Sequence, residues 1–213
     1  HDLVALELDR TGVDGDFGCE APERFGHQCG VPDGQVRLWS RTEIVKGLEM
    51  PAEIHVFNLP ALKSDAEFRG IFSTDEANLS AIKAQRKQML LDIFAQQNPA
   101  VLILELFPFG RRQFDFELLP LLERAQNSPT KIVCSLRDIL VSKRNQEQFE
   151  NDAVRLMNEY FDLLLVHADP SFQTLDETFP RVHELTCEVR YTGFVAQSAQ
   201  YGERERPAPR QNR

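Results

Sequence analysis

The sequence predicts an α/β protein built on a parallel β-sheet with helices packed against it. From residue 54 onward, short apolar segments alternate with amphipathic segments of helical length, which is typical of parallel strands joined by right-handed helical crossovers. The apolar segments are continuous, and this favours strands that are buried on both faces of a sheet. We predict strands at residues 54–57, 100–104, 131–135, 162–166 and 189–191.

The first predicted helix begins at a capping box, Ser-Thr-Asp-Glu at positions 73–76, whose hydroxyl and carboxylate can bond the free amides of a helix start. Asn98-Pro99 ends it. Helical spacing separates its residues into a buried stripe and a solvent-facing side. The stripe contains Leu79, Ile82, Met89, Leu90, Ile93 and Phe94, and the solvent-facing side contains Lys83, Arg86, Lys87 and Gln88.

Three further helices are predicted between the later strands. The first spans residues 114–125, and we expect Pro120 to kink or restart it, because proline lacks the amide hydrogen that a helix interior needs. The second spans residues 145–160, and a short third helix lies near residues 171–178.

The chain divides into three parts by composition. Residues 1–47 hold seven of the eleven glycines and predict an irregular segment, with one weak strand-like run at residues 3–8. We interpret it as a loop-rich appendage or as sequence that is not native to the domain that follows. Residues 48–195 form the predicted α/β domain, and residues 196–213 are polar and predict a disordered linker or tail.

The overall charge excludes a general nucleic-acid binder, because 24 basic and 33 acidic residues give a net charge of −9. No run approaches the roughly 20 apolar residues that a transmembrane helix requires. The four cysteines form no Cys-x-x-Cys motif, which favours reduced thiols and a cytoplasmic protein. Cys19, His27 and Cys29 do not have zinc-ligand spacing, so no metal site is expected.

The candidate site residues follow the apolar runs, because ligands of an open parallel sheet bind beyond the carboxyl ends of its strands. Arg111 and Arg112 could grip a phosphate, and the helix start behind them favours an anion; the alternative is that they are simply solvated. Phe107 and Phe109, on either side of Pro108, form either a stiff apolar wedge in a ligand-binding loop or part of the core. His167 is either a residue that carries a proton or a histidine whose hydrogen bonds are purely structural. The candidates are Glu105, Phe107, Phe109, Gly110, Arg111, Arg112, Arg137, Asp138, His167 and Asp169.

Four blocks in this order resemble predicted bacterial glycosyltransferases of the GT-B fold, which are similar to the enzyme that adds N-acetylglucosamine to the lipid-linked peptidoglycan precursor. The resemblance covers residues 47–195, and its first block is the most specific. The blocks are Val101-Leu-Ile-Leu-Glu-Leu-Phe-Pro-Phe-Gly-Arg-Arg-Gln113, Ile132-Val-Cys-Ser-Leu-Arg-Asp-Ile-Leu140, Asp162-Leu-Leu-Leu-Val-His-Ala-Asp-Pro170 and Tyr191-Thr-Gly-Phe-Val195.

This resemblance implies a Rossmann-like domain that is one half of a GT-B fold, with the candidate residues on the acceptor side of a cleft. A carboxyl-terminal domain would bind the other partner, a nucleotide-diphosphate sugar. The transfer usually needs no metal and no cofactor: a base activates the acceptor hydroxyl, and helix-end charge stabilises the departing diphosphate. The resemblance names no catalytic base among these residues, and it allows peripheral contact with a membrane.

The sequence departs from this family at both ends. Nothing in residues 1–47 matches the family's first strand and its Gly-His turn, and the chain ends in the linker that would precede the donor domain. We therefore expect an incomplete acceptor-side domain that is inactive alone. The alternatives are a non-catalytic module that binds a phosphorylated or acidic small molecule through Arg111, Arg112 and Arg137, and half of a sugar-nucleotide epimerase.

Overall fold

The computed structural model describes residues 3–8, 36–40, 55–64, 71–72, 78–137, 140 and 145–194. Within these residues, seven strands form one sheet, and two short strands form a separate antiparallel pair. The sheet strands are β1 (Leu3–Leu8), β2 (Val36–Ser40), β3 (His55–Asn58), β6 (Val101–Glu105), β7 (Lys131–Arg137), β8 (Leu163–His167) and β9 (Glu188–Tyr191), and the separate pair is β4 (Lys63–Ser64) with β5 (Ile71–Phe72).

The prediction of an α/β, Rossmann-like arrangement is confirmed by four adjacent parallel strands. They lie side by side in the order β6-β7-β8-β9, which is also their order in the chain, and each strand is parallel to the next. Beyond β6 the order continues as β1-β2-β3, and β1 is antiparallel to both of its neighbours. β1 and β2 lie in the segment that the sequence predicts to be irregular, so part of that segment belongs to the sheet.

In the described part of the chain, three α-helices accompany the parallel strands: α1 (Leu79–Gln97), α2 (Asp115–Gln126) and α3 (Gln146–Tyr160). Their apolar residues share one core cluster with every second residue of the strands, including Leu102, Cys134 and Leu164. The intervening residues of β6 and β8 are only half-buried. Burial therefore alternates along these strands, although their continuous apolar runs predict burial on both faces.

The structure confirms the buried stripe of α1 at Leu90, Ile93 and Phe94 but corrects the predicted position of Arg86. The sequence places it on the solvent-facing side, but its side chain and that of Glu117 on α2 are both 0 % exposed. The guanidinium donates to both carboxylate oxygens, at 2.7 and 2.6 Å, and to the carbonyl oxygen of Pro60 at 2.6 Å. A charge can be buried when a partner and hydrogen bonds satisfy it, and helical periodicity carries no information about such a partner on another helix.

The remaining differences concern element boundaries. α1 begins at Leu79 and ends at Gln97, and Asn98 caps it in the left-handed conformation; the predicted capping box lies outside the described residues. α2 runs from Asp115 to Gln126 through Pro120 without restarting. The predicted helix near residues 171–178 is replaced by two short 3-10 helices, Leu175–Glu177 and Pro180–Glu184.

Two further predictions bear on chain organisation. The linker predicted at residues 196–213 lies outside the described residues. Among the helices that the structure does describe, none combines the length and apolar character needed to span a bilayer.

Candidate functional site

Polar side chains from three neighbouring strands, and from the residue after a fourth, meet where β6 to β9 end. In the register of the sheet, Glu105 at the end of β6 lies beside Ser135 of β7, and Arg137 at the end of β7 lies beside His167 of β8. Thr192 directly follows β9. We call these five residues, together with Arg111, the carboxyl-edge cluster. It occupies the side of the sheet where open α/β folds bind their ligands.

His167 is held between two hydroxyl groups. Its Nε2 lies 2.8 Å from the Ser135 Oγ, and its Nδ1 lies 2.8 Å from the Thr192 Oγ1. Burial lowers the pKa of His167; the positive charge of Arg137 lowers it further, whereas the negative charge of Glu105 opposes both effects. Because the pKa falls below its usual value near 6.5, the imidazole is neutral at pH 7 and one of its nitrogens can accept a proton.

Glu105 joins two arginines. The Arg111 Nη2 lies 2.9 Å from one carboxylate oxygen, and the Arg137 Nε lies 3.1 Å from the other. Arg111 also donates from Nε to the backbone carbonyl of Glu105 at 3.1 Å, and its backbone is in the left-handed conformation, with φ 59°. These contacts fix Glu105 and Arg111, both of which are largely buried.

Arg137 is the accessible cation of the cluster. Its side chain is 60 % exposed, and among the described residues only its Nε has a partner. The two Nη groups therefore present donors at the carboxyl edge. A guanidinium with free donors is well suited to a phosphate or carboxylate ligand.

The loop after β6 supplies core packing and paired charges. Phe107 and Phe109 are buried, and the Phe109 ring meets the Phe179 ring edge-on at a centroid distance of 5.1 Å. Arg112 pairs with Asp115 at 3.0 Å and lies over the Phe107 ring. The backbone folds back tightly, because the Gly110 amide donates to the Leu106 carbonyl at 2.7 Å. The structure does not bring Phe107, Phe109, Gly110 or Arg112 into the carboxyl-edge cluster.

Asp169 shapes the turn that follows β8. Its side chain accepts bonds from the backbone amide of Ser171 at 2.8 Å and from the Ser171 hydroxyl at 2.7 Å. These two bonds lower the pKa of the exposed Asp169 carboxyl. Asp138, the remaining candidate, lies outside the described residues.

The structure thus assembles four of the predicted residues, Glu105, Arg111, Arg137 and His167, and adds Ser135 and Thr192. Comparisons with protein-family models, curated proteins and solved structures give no match. The resemblance to glycosyltransferases therefore rests on the four motif blocks.

The candidate residues chosen from the sequence include neither hydroxyl residue, although a signal for each was present. Ser135 is the last residue of the predicted strand 131–135, and Thr192 is the first residue after the last predicted strand. Both positions lie at the ends of predicted strands, as His167 does, and therefore at the same edge of the sheet. The described residues contain no group of three or more His, Cys, Asp or Glu side chains that could hold a metal ion.

Proposed function

We propose that this chain is the acceptor-side domain of a glycosyltransferase that moves a hexosyl group from a nucleotide-diphosphate sugar to a hydroxyl acceptor. The observation that carries the proposal is the carboxyl-edge cluster, which lies where the family resemblance puts the acceptor. A neutral imidazole beside hydroxyl groups suits a reaction that begins with the removal of a proton from an alcohol. Nucleotide sugars are cytoplasmic substrates in this proposal, and Cys134 and Cys187, both free thiols, are compatible with that location.

The pairing of the arginines supports this function over a module that grips an anion through Arg111, Arg112 and Arg137. Arg111 is largely buried against Glu105, and Arg112 is paired with Asp115. An anion held by all three would have to break both pairs and leave the carboxylates without partners. Of the three, only Arg137 can use its Nη donors without breaking an ion pair. A single guanidinium of this kind suits one phosphate or carboxylate group on a larger acceptor substrate.

The test is a transfer assay on the polypeptide that the complete open reading frame encodes. It is supplied with UDP-, GDP-, dTDP- and ADP-hexoses that carry a radiolabelled sugar, and with saccharides and extracted lipids as acceptors. We expect a labelled product from at least one donor. We also expect Arg137→Ala to raise the KM for the acceptor, while Arg155→Ala, which removes an exposed arginine of α3, leaves it unchanged.

Two results would contradict the proposal. The first is the absence of labelled product with every donor. The second is binding of acidic small molecules without any transfer, which would favour the non-catalytic module instead.

A further inference from the structure

The hydrogen atoms of the Ser135, His167 and Thr192 side chains can be assigned by counting donors and acceptors. The Thr192 hydroxyl donates to a backbone carbonyl, with that of Gly193 at 3.0 Å and that of Val166 at 3.4 Å. Its oxygen then accepts from His167 Nδ1–H, and His167 Nε2 is left with a lone pair that faces the Ser135 hydroxyl. All three donors have acceptors in this arrangement.

The opposite tautomer satisfies fewer groups. If Nε2 carried the hydrogen, it would donate to the Ser135 oxygen, and the Ser135 hydroxyl would need another acceptor. Among the described residues, the Ser135 side chain has no hydrogen-bond partner other than His167. The contacts therefore favour Ser135 as the donor and His167 as the acceptor.

We propose that Ser135 and His167 form a two-step proton relay that takes the proton from the acceptor hydroxyl. The inference rests on the proposed function. The Ser135 Oγ is half-buried and lies at the carboxyl edge, whereas both imidazole nitrogens already have hydrogen-bond partners. The acceptor hydroxyl therefore meets Ser135 first, and Ser135 passes its own proton on to His167.

The acceptor oxygen bonds to the anomeric carbon of the sugar, and the bond from that carbon to the diphosphate breaks, with its electron pair leaving on the diphosphate. The acceptor proton moves to the Ser135 Oγ while the original Ser135 proton moves to His167 Nε2. Ser135 ends as a neutral hydroxyl, and His167 ends as an imidazolium.

The surrounding charges set the energy of that imidazolium. Glu105 on β6 stabilises it, whereas Arg137 on β7 opposes it; Arg111 neutralises part of the Glu105 charge. From the β9 side the imidazolium contacts the neutral Thr192 oxygen. The relay thus begins from a neutral imidazole at pH 7 and ends on a cation that a carboxylate partly compensates.

The first measurement uses the chain itself and does not depend on sugar transfer. Nitrogen-15 NMR of the imidazole at pH 8 should show His167 with its hydrogen on Nδ1, and Ser135→Ala should shift the Nε2 resonance. A hydrogen on Nε2 would overturn the relay, because Ser135 could not then donate to His167. His183, whose ring bonds the Pro180 carbonyl on a different part of the surface, provides the internal reference.

The second measurement is the transfer assay on the complete polypeptide. Ser135→Ala and His167→Gln should each lower kcat by about 10²–10⁴-fold with little change in KM, which is the usual contribution of a positioned proton acceptor. The double variant should be no slower than the slower single variant, since the two residues act as one unit. Ser135→Thr keeps the hydroxyl and should restore most of the activity.

Controls separate a relay from a purely structural role. In the wild type, kcat should rise with pH through the His167 pKa, and His167→Gln should abolish that rise. Ser128→Ala removes a half-buried hydroxyl at the opposite edge of the sheet and should leave kcat unchanged. Activity of Ser135→Ala within twofold of wild type would overturn the relay; a wild type without transfer but with the Nδ1–H tautomer would instead overturn the proposed function.

Discussion

Replacing Glu117 by glutamine should destabilise the fold strongly, because it leaves the guanidinium of Arg86 buried without a countercharge. The change keeps the shape of the side chain but replaces one accepting oxygen by an NH₂ group that faces the guanidinium. Both side chains are fully buried, and the two bonds between them are 2.7 and 2.6 Å long. Removing one partner of a buried ion pair costs about 3–5 kcal/mol.

That cost is large compared with the total stability of a domain, which is typically about 5–15 kcal/mol. For a chain of 213 residues, it corresponds to a fall in Tm of about 6–20 °C, at about 2–4 °C per kcal/mol. Urea unfolding followed by far-UV circular dichroism measures the free energy, and thermal unfolding measures Tm. Both are made on the chain as it stands, without any ligand.

Two matched variants make this prediction specific. Glu159→Gln breaks the exposed pair of Glu159 with Arg155 on α3 and should cost only about 0.3–0.5 kcal/mol. The double variant Arg86→Met/Glu117→Leu removes both charges and should recover most of the loss, apart from about 1 kcal/mol for the Pro60 carbonyl that loses its donor. A cost for Glu117→Gln as small as that for Glu159→Gln would mean that water reaches the Arg86 charge and that the ion pair is not buried.

The pKa of His167, the packing at Gly110 and the burial of Phe109 can each be tested by unfolding experiments. Because the pKa of His167 is lower in the folded protein than in the unfolded chain, the unfolded chain binds the proton more tightly, and the free energy of unfolding should rise with pH between the folded pKa and about 6.5. Urea unfolding of His167→Gln at several pH values should lack this rise. The same pH dependence in the variant and the wild type would contradict the prediction. Gly110→Ala would put a methyl group 2.7 Å from the Leu106 Cδ2 and should cost about 1–3 kcal/mol in urea unfolding, whereas the same change in a Leu106→Ala background should cost less. Phe109→Ala should cost about 3–5 kcal/mol and the exposed Phe172→Ala at most about 0.5 kcal/mol, and equal thermal shifts for the two would mean that Phe109 is not a core residue.

The sequence predicted the parallel strands well because their signal is local. The apolar runs at residues 100–104, 131–135 and 162–166 match β6, β7 and β8 to within two residues at each end. β2 was missed, since Val36–Ser40 lies among glycines and becomes a strand through its pairing with β1 and β3. Such pairing depends on residues distant in sequence, which periodicity does not detect.

The sequence predicted several of the polar residues that meet at the carboxyl edge, but not all of them. The rule that ligands bind at the carboxyl ends of strands selected Glu105, Arg137 and His167, and the structure brings these together. The same rule does not predict whether the side chain of each neighbouring residue faces the core or the cluster. Phe107 therefore counted as a site residue although it is buried, and Ser135 was omitted although it bonds His167.

The proposed function requires that ligands bind at the carboxyl edge of the parallel sheet rather than at the opposite edge. A polar depression of about 330 Å³, lined by Lys131, Tyr160 and Asp162 among others, lies at the opposite edge and is the rival site. The most direct measurement is chemical-shift mapping of the isotope-labelled chain during titration with hexose phosphates. We expect the largest shifts at Arg137 and His167 and none in the depression; shifts confined to the depression would mean that the ligand binds at the opposite edge of the sheet.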